Sequence, residues 1–324
     1  MKNNGSFSGL GKVYGFTLRQ LYKNKSNLIS FGIIIAVALF AIPVMSFFVG
    51  SGSADEATFY TSVMSLDEFM NKDDIGFESR YAVQYAYSII VMMVCLFAVT
   101  YIVRAILEEK SSKLVETLLV SIKSEDMILG KILAVITFIF SAFAAIVVSF
   151  AFSYFVTGIF RDTSFVSAKL KSYGLTPELL NLTFDVVIVV VISALLACIT
   201  MSLIAALSGA SCSNMEDMES ANMTSTMIIL VCYMATVIAS SFGSSPAMFM
   251  SLCPFVSAFA VPAYYITGDI GFVTVIVSWL IQAACIGLIY KMSGKLYDSL
   301  IMYKGSRLKA GKIIKMALNR KEGK

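Results

Sequence analysis

The chain has 324 residues, 58% of them hydrophobic and only 14% charged, with a formal net charge of +4. A mean hydropathy of +0.81 excludes a soluble domain of this size, which would need far more charged surface. Its apolar residues lie in blocks, and about 20 helical residues suffice to cross a bilayer. Histidine is absent, which removes imidazole acid–base chemistry and histidine metal ligands. The six cysteines, at 95, 198, 212, 232, 253 and 285, form no CxxC unit and read as small apolar side chains.

Residues 1–27 carry five basic residues (Lys2, Lys12, Arg19, Lys23, Lys25) and no acidic one. Their loose alternation of apolar and polar residues predicts a short amphipathic helix at the cytoplasmic surface, its lysines towards anionic lipid. The first apolar block, 28–50, contains only Pro43 as an interruption, which a membrane helix tolerates. A cleaved signal peptide is the alternative, since small residues follow at 51–54. The long leading segment and 23-residue block favour an uncleaved span.

Residues 51–80 form an outer polar loop with seven acidic residues against Lys72 and Arg80. The second span is placed at 81–106 and the third at 132–156, joined by a charged but periodic segment, 107–131. An outer loop follows at 157–182, where Thr176 before Pro177 suits a helix cap. The fourth span covers 183–208, a short acidic turn 209–220, and the fifth span 221–241. The block 245–268 is apolar but broken by Pro254 and Pro262, which fits two half-helices re-entering the membrane better than a straight crossing. The sixth span covers 270–290, and the tail 291–324 carries ten basic residues.

Charge orients these spans. With both termini inside, the inner segments hold twenty Lys/Arg and the outer segments five, a positive-inside bias. A full crossing at 245–268 would place the ten-basic tail outside, so the bias also favours re-entry. The fold class is all-α: a polytopic membrane protein with six spans, a cytoplasmic hairpin and a re-entrant segment before the last helix.

No phosphate-cradling loop is present, since neither Leu129-Gly130-Lys131 nor Ser293-Gly294-Lys295 supplies GxxxxGK[ST]. No catalytic residue and no metal ligand set is expected. The spans show no buried Asp/Glu/Lys/Arg relay, because Asp185 and Arg104 fall at membrane edges. Ion-coupled carriers usually carry such groups, so the energy is expected from a partner. The 18 methionines, several in 215–234 and 245–255, suit adaptable apolar surface. Ala205, Ala206 and Gly209, like Ala283, Ala284 and Gly287, suit close helix packing.

The segment 107–131 is the candidate for partner contact. Leu107, Leu114, Leu118 and Ile122 form one apolar stripe, broadened by Val115 and Leu119. Glu109 and Lys113 stand as an i,i+4 pair in the favourable order. Ser124, ahead of Glu125 and Asp126, suits the cap of a helix leading into the third span. An ordinary connector is the alternative. In 245–268, Pro254, Phe255 and Pro262 suit an outer gate, and Tyr264 and Tyr265 anchors at headgroup level.

The run Glu108-Glu109-Lys110-Ser111-Ser112-Lys113-Leu114-Val115-Glu116-Thr117-Leu118-Leu119, followed by Leu129-Gly130-Lys131, resembles the signature of the ABC-2 type permeases. It is most similar to their sodium-exporter branch. Ser213-Asn214-Met215-Glu216-Asp217-Met218-Glu219, Leu252-Cys253-Pro254-Phe255-Val256-Ser257 with Val261-Pro262, and Leu300-Ile301-Met302-Tyr303-Lys304-Gly305 agree. The resemblance covers residues 12 to 316 apart from the first outer loop.

The resemblance implies an exporter half in the bacterial cytoplasmic membrane. Two such subunits, copies or relatives, would pair with two ATPase subunits that hold ATP and Mg2+. Membrane lipid is the other partner, and no nucleic acid is expected. Glu108, Glu109, Lys113, Leu114, Glu116, Leu118, Leu119 and Ile122 would couple to the ATPase, with Glu216, Asp217 and Glu219 as gate or support at the same face. The cargo implied is hydrophobic, amphipathic or peptide-like; sodium or drug efflux, or a carrier without an ATPase, are the alternatives. Relatives in the branch often carry a large outer domain where this chain has about thirty polar residues, too few for a substantial core.

Overall fold

In the computed structural model the described residues are 6–49, 77–111, 123–160, 163, 166–167, 183–212, 215–242 and 244–301. They form α1 (Ser6–Lys23), α2 (Lys25–Val49), α3 (Phe77–Ser111), α4 (Ser124–Phe160), α5 (Phe184–Ala210), a 3-10 turn (Met215–Asp217), α6 (Met218–Ser240), α7 (Ala247–Leu252), α8 (Ser257–Ile266) and α9 (Phe272–Ile301). No strand occurs among the described residues. Six helices, α2, α3, α4, α5, α6 and α9, are long and apolar enough to cross a membrane. Large apolar side chains such as Phe40, Phe47, Phe155, Val231 and Leu280 lie exposed on these helices, as lipid-facing surfaces require and as water would penalise.

The break between α1 and α2 is written into two asparagines. Asn24 accepts the Ser26 N–H on its side-chain oxygen at 3.0 Å and its carbonyl takes the Leu28 N–H, the geometry of a helix N-cap. Asn27 donates to the Leu21 carbonyl at 3.2 Å, satisfying an acceptor that the end of α1 leaves open. Helix α1 is amphipathic as expected, but its inner face rests on protein. Val13, Thr17 and Leu21 are buried against the start of α4, with which α1 makes its main contact. At Gly130 a Cβ would meet the Val13 Cβ at 3.0 Å and the Leu10 carbonyl oxygen at 3.1 Å, so glycine permits this approach. Phe31 of α2 then joins Phe97, Tyr101 and Phe138 in an aromatic cluster shared by α2, α3 and α4.

Helix α3 is the shared partner, packing on α5, α6, α8 and α4. Ala205, Ala206 and Gly209 are buried on α5, and the position of a Gly209 Cβ lies 3.4 Å from the Val103 Cα, the close approach small residues allow. Ala283, Ala284 and Gly287 differ: they are exposed on α9, and nothing lies within 4 Å of a Gly287 Cβ.

Proline chemistry links the spans. Pro43 lacks the N–H that would bond the Leu39 carbonyl four residues earlier. The buried Ser153 hydroxyl of α4 donates to that carbonyl instead, at 2.7 Å. Ser153→Ala is expected to cost about 1–3 kcal/mol by leaving a buried acceptor unmet. Thermal unfolding in detergent checks this, and Pro43→Ala in the same chain should recover most of the loss by restoring the helical bond.

The region expected to re-enter is two short helices, α7 and α8. Cys253 is extended (φ −78°, ψ 111°), as the residue before Pro254 must avoid the helical region. Its carbonyl takes the N–H groups of Val256 and Ser257, which starts α8. Pro262 inside α8 frees the Ala258 carbonyl, and Tyr87 of α3 donates to it at 3.0 Å. Gln84 and Ser88 donate to the neighbouring Phe259 carbonyl at 2.8 and 3.2 Å. Helix α8 ends at Gly268 with φ +79°. The Asp269 N–H reaches the Tyr264 carbonyl and the Gly268 N–H that of Tyr265, a Schellman termination that favours glycine.

Candidate functional site: the roots of the 112–122 connection

Within 107–131 the described residues are 107–111 and 123–131. Helix α3 continues through Ser111, and α4 begins at Ser124. The expected boundaries at 106 and 132 therefore fall inside two long helices. The first α4 bond runs from the Met127 N–H to the Lys123 carbonyl, so Lys123 holds the cap position expected for Ser124. Lys113, Leu114, Glu116, Leu118, Leu119 and Ile122 lie outside the described residues.

The side chains at the roots are organised by charge. Lys131 Nζ lies 2.6 Å from Glu109 Oε2, with side chains 1% and 3% exposed. Each charge is shielded from water by the other's presence and by the apolar residues around them, including Leu107, Met127 and Ile128. Leu107 is itself fully buried, so the start of the apolar stripe belongs to the core. Glu109 is likewise inside, and its ion-pair partner is Lys131 across the connection. Glu108 is part-exposed: it takes the Arg104 Nε–H at 2.7 Å and the Gln20 Nε2–H at 2.9 Å, which ties α1 to α3. A cleft between α1 and α3 is lined by Thr17, Gln20, Asn24, Asn27, Arg104 and Glu108.

A third tie closes the group. Lys110 donates to the Ala210 carbonyl at 2.8 Å, filling an acceptor at the C-terminus of α5, where a cation is favoured. The acidic turn stands next to it. Glu216 and Glu219 are exposed and Asp217 is half-buried, all three at the N-terminal end of α6, where negative charge suits the helix dipole. The Asp217 carbonyl accepts the Cys212 thiol. Glu125 of α4 packs over Gly294 of α9, where a Cβ would come within 2.4 Å of the Glu125 Cγ. The ends of α3, α4, α5 and α6 thus meet at the roots of the connection, with α1 and α9 packed against them.

The family model for the ABC-2 family transporter proteins matches residues 53–291, more than half of the chain. The chain belongs to the ABC-2 transporter family. It is a multi-pass membrane permease of that family, whose members pair with ABC ATPase subunits and another permease copy. No curated protein and no solved structure matches it. The family is a non-catalytic one, and among the described residues no group of three or more His, Cys, Asp or Glu is placed to hold a metal ion.

In this ABC-2 permease the residues expected at an outer gate separate into two environments. Tyr264 is buried, 4% exposed, among Val189, Ala260, Val261, Ile270 and Val275, and this packing corrects its expected place as a headgroup anchor. Tyr265 is half-buried, stacks at a tilt on Phe272 and donates to Asp185 Oδ2 at 2.6 Å. Pro262 is buried, while Pro254 and Phe255 are half-buried at the α7–α8 turn.

The search for buried charge was confined to the spans, and the buried pair lies just beyond their expected bounds, between Glu109 and Lys131. Sequence reasoning paired Glu109 with its near neighbour Lys113 and missed a partner 22 positions away. A signal was present: Lys131 is a lone cation inside the apolar run Met127–Val135, and a buried cation needs an anion.

Proposed function

We propose that this permease is the membrane half of an ATP-driven exporter, coupled to its ATPase through the 112–122 connection and the helix ends that root it. One observation carries the reading: the Glu109–Lys131 ion pair fastens the two roots to each other inside the bundle. A push on the connection is then delivered to α3 and α4 together. Lys110 passes part of it to α5. Leu114, Leu118, Leu119 and Ile122, with Lys113 and Glu116, supply the surface that rests on the ATPase, and Glu216, Asp217 and Glu219 support it from the acidic turn. Glu108, part-exposed beside buried Glu109, faces the same partner.

ATP and Mg2+ belong to the two ATPase subunits, and a second permease, identical or related, completes the complex. The charge bias supports both termini inside, and the resemblance supports a bacterial cytoplasmic membrane. Re-entry of α7 and α8 from the outer side makes Pro254, Phe255, Pro262 and Tyr265 the outer gate, with Tyr264 as its packed base. The cargo is hydrophobic, amphipathic or peptide-like, since the spans offer adaptable apolar surface. Within this reading, outward sodium or drug efflux is the narrower alternative that the resemblance to the sodium-exporter branch supports.

Copurification from native membranes tests the proposal: an ABC ATPase is expected with the permease at about one to one, and its absence at full permease yield would count against it. A carrier acting without an ATPase is the second reading, favoured by the buried Glu109–Lys131 ion pair. Uptake into vesicles holding the permease alone would establish it.

A further inference from the structure

The outward face of α1 is not used by the coupling roots. Lys12, Phe16, Arg19 and Lys23 recur at i, i+4, i+7 and i+11, which places them on one face of the helix. All four are exposed, as is Lys25 just beyond the Asn24 break. No carboxylate pairs with these cations among the described residues. The opposite face is the docked one, with Val13, Thr17 and Leu21 buried.

The level of this face in the bilayer follows from its neighbours. Tyr14 donates to Thr137 at 3.3 Å, Tyr22 and Ser141 are hydrogen-bonded, and Val13 lies on Gly130. Helix α1 therefore runs beside residues 130–141 of α4. The twenty residues from there to Phe160, at about 1.5 Å each, span roughly 30 Å, one hydrocarbon thickness. Past Lys25 the exposed residues of α2 turn apolar at once, with Leu28, Ile29 and Ile33. Lys23 and Lys25 thus stand at the edge of the apolar band with Tyr22 exposed beside them, and Arg19, Phe16 and Lys12 follow outward along α1 through the headgroup layer.

We propose that the Lys12–Arg19–Lys23–Lys25 face of α1 binds the headgroups of anionic phospholipids, with Tyr22 set at the acyl boundary. Cations at this depth attract anionic headgroups, and an exposed aromatic ring beside them suits the interface. Lipid held there steadies α1, which grips the coupling roots through Gln20 and Glu108 and through Gly130. The consequence for coupling rests on the exporter reading; the lipid site itself does not.

The test uses the whole chain carrying Tyr22→Trp, reconstituted in phosphatidylcholine vesicles containing either dibrominated phosphatidylglycerol or dibrominated phosphatidylcholine. The parent chain, with its single Trp279, supplies the background to subtract. Quenching of the new tryptophan by the brominated anionic lipid is expected to exceed that by the zwitterionic one at least about twofold, and to fall towards parity at roughly 0.5 M salt. Adding K12Q, R19Q, K23Q and K25Q should bring the ratio near one. Equal quenching in the charge-retaining chain overturns the proposal, and so does a preference that survives the four glutamines. Labelling of a tag ahead of α1 from outside intact cells would instead overturn the inside orientation, a separate outcome.

Discussion

Lys131→Met is expected to destabilise the permease by about 3–5 kcal/mol, the usual consequence of removing one partner from a buried ion pair. The reason is the partner left behind. Glu109 is 3% exposed. Its carboxylate then loses the ammonium group 2.6 Å away, and a buried charge that loses its counter-ion costs free energy. Replacing both residues, Glu109→Met with Lys131→Met, removes the stranded charge, and most of the loss should return. Thermal unfolding in detergent measures both variants. If the double variant is as unstable as the single one, the pair is not what holds the roots.

The neighbouring pair provides an internal contrast. Arg104 and Glu108 are 34% and 30% exposed, so water screens them, and Arg104→Ala should cost no more than about 1 kcal/mol. The double methionine variant also separates stability from coupling. It keeps the roots packed but removes the electrostatic fastening between them, so transport-linked ATP hydrolysis should fall even where the unfolding temperature is restored.

Leu118→Asp is expected to abolish ATPase association and transport while leaving insertion in the membrane intact. Leu118 lies outside the described residues, and the expectation comes from its place in the apolar stripe with Leu114 and Ile122. A carboxylate at the centre of an apolar contact would be desolvated without a partner on docking. The spans do not depend on this residue, so membrane-inserted yield should match that of the parent chain. Copurification of the variant with its ATPase at normal yield would sink the assigned role. If the proposed Leu118 contact is between subunits, as the Glu109–Lys131 contact is within one, the two variants should fail differently: the first as a stable permease without a partner, the second as an unstable one.

The six spans were legible because hydrophobic length is a local property. Each block from 28–50 to 270–290 announces itself without reference to any other. The half-helices of 245–268 were legible for the same reason, since Pro254 and Pro262 restrict their own backbone and the residues before them. Long-range partners were not legible. Nothing near Pro43 names Ser153, and nothing near Pro262 names Tyr87, although each proline states that some donor is needed. The apolar period carried Leu107 into a stripe with Leu114 and Leu118, but packing on α4 and α5 decides which side of α3 is inside. Tyr264 and Tyr265 are adjacent and identical in type. Only the placement of α8 between α3, α5 and α9 makes one a core residue and leaves the other near the edge.

Helix α3 has 35 residues, roughly 52 Å at 1.5 Å per residue. It is latched at one end by Glu109 and Lys110 and at the other by Gln84, Tyr87 and Ser88 to the carbonyls of α8. A rod of that length is a lever. A tilt of about 5° at the coupling roots displaces its far end by roughly 4–5 Å, more than the length of a hydrogen bond. The carbonyls that Pro262 released from α8 are therefore the place where such a small rotation would be felt most.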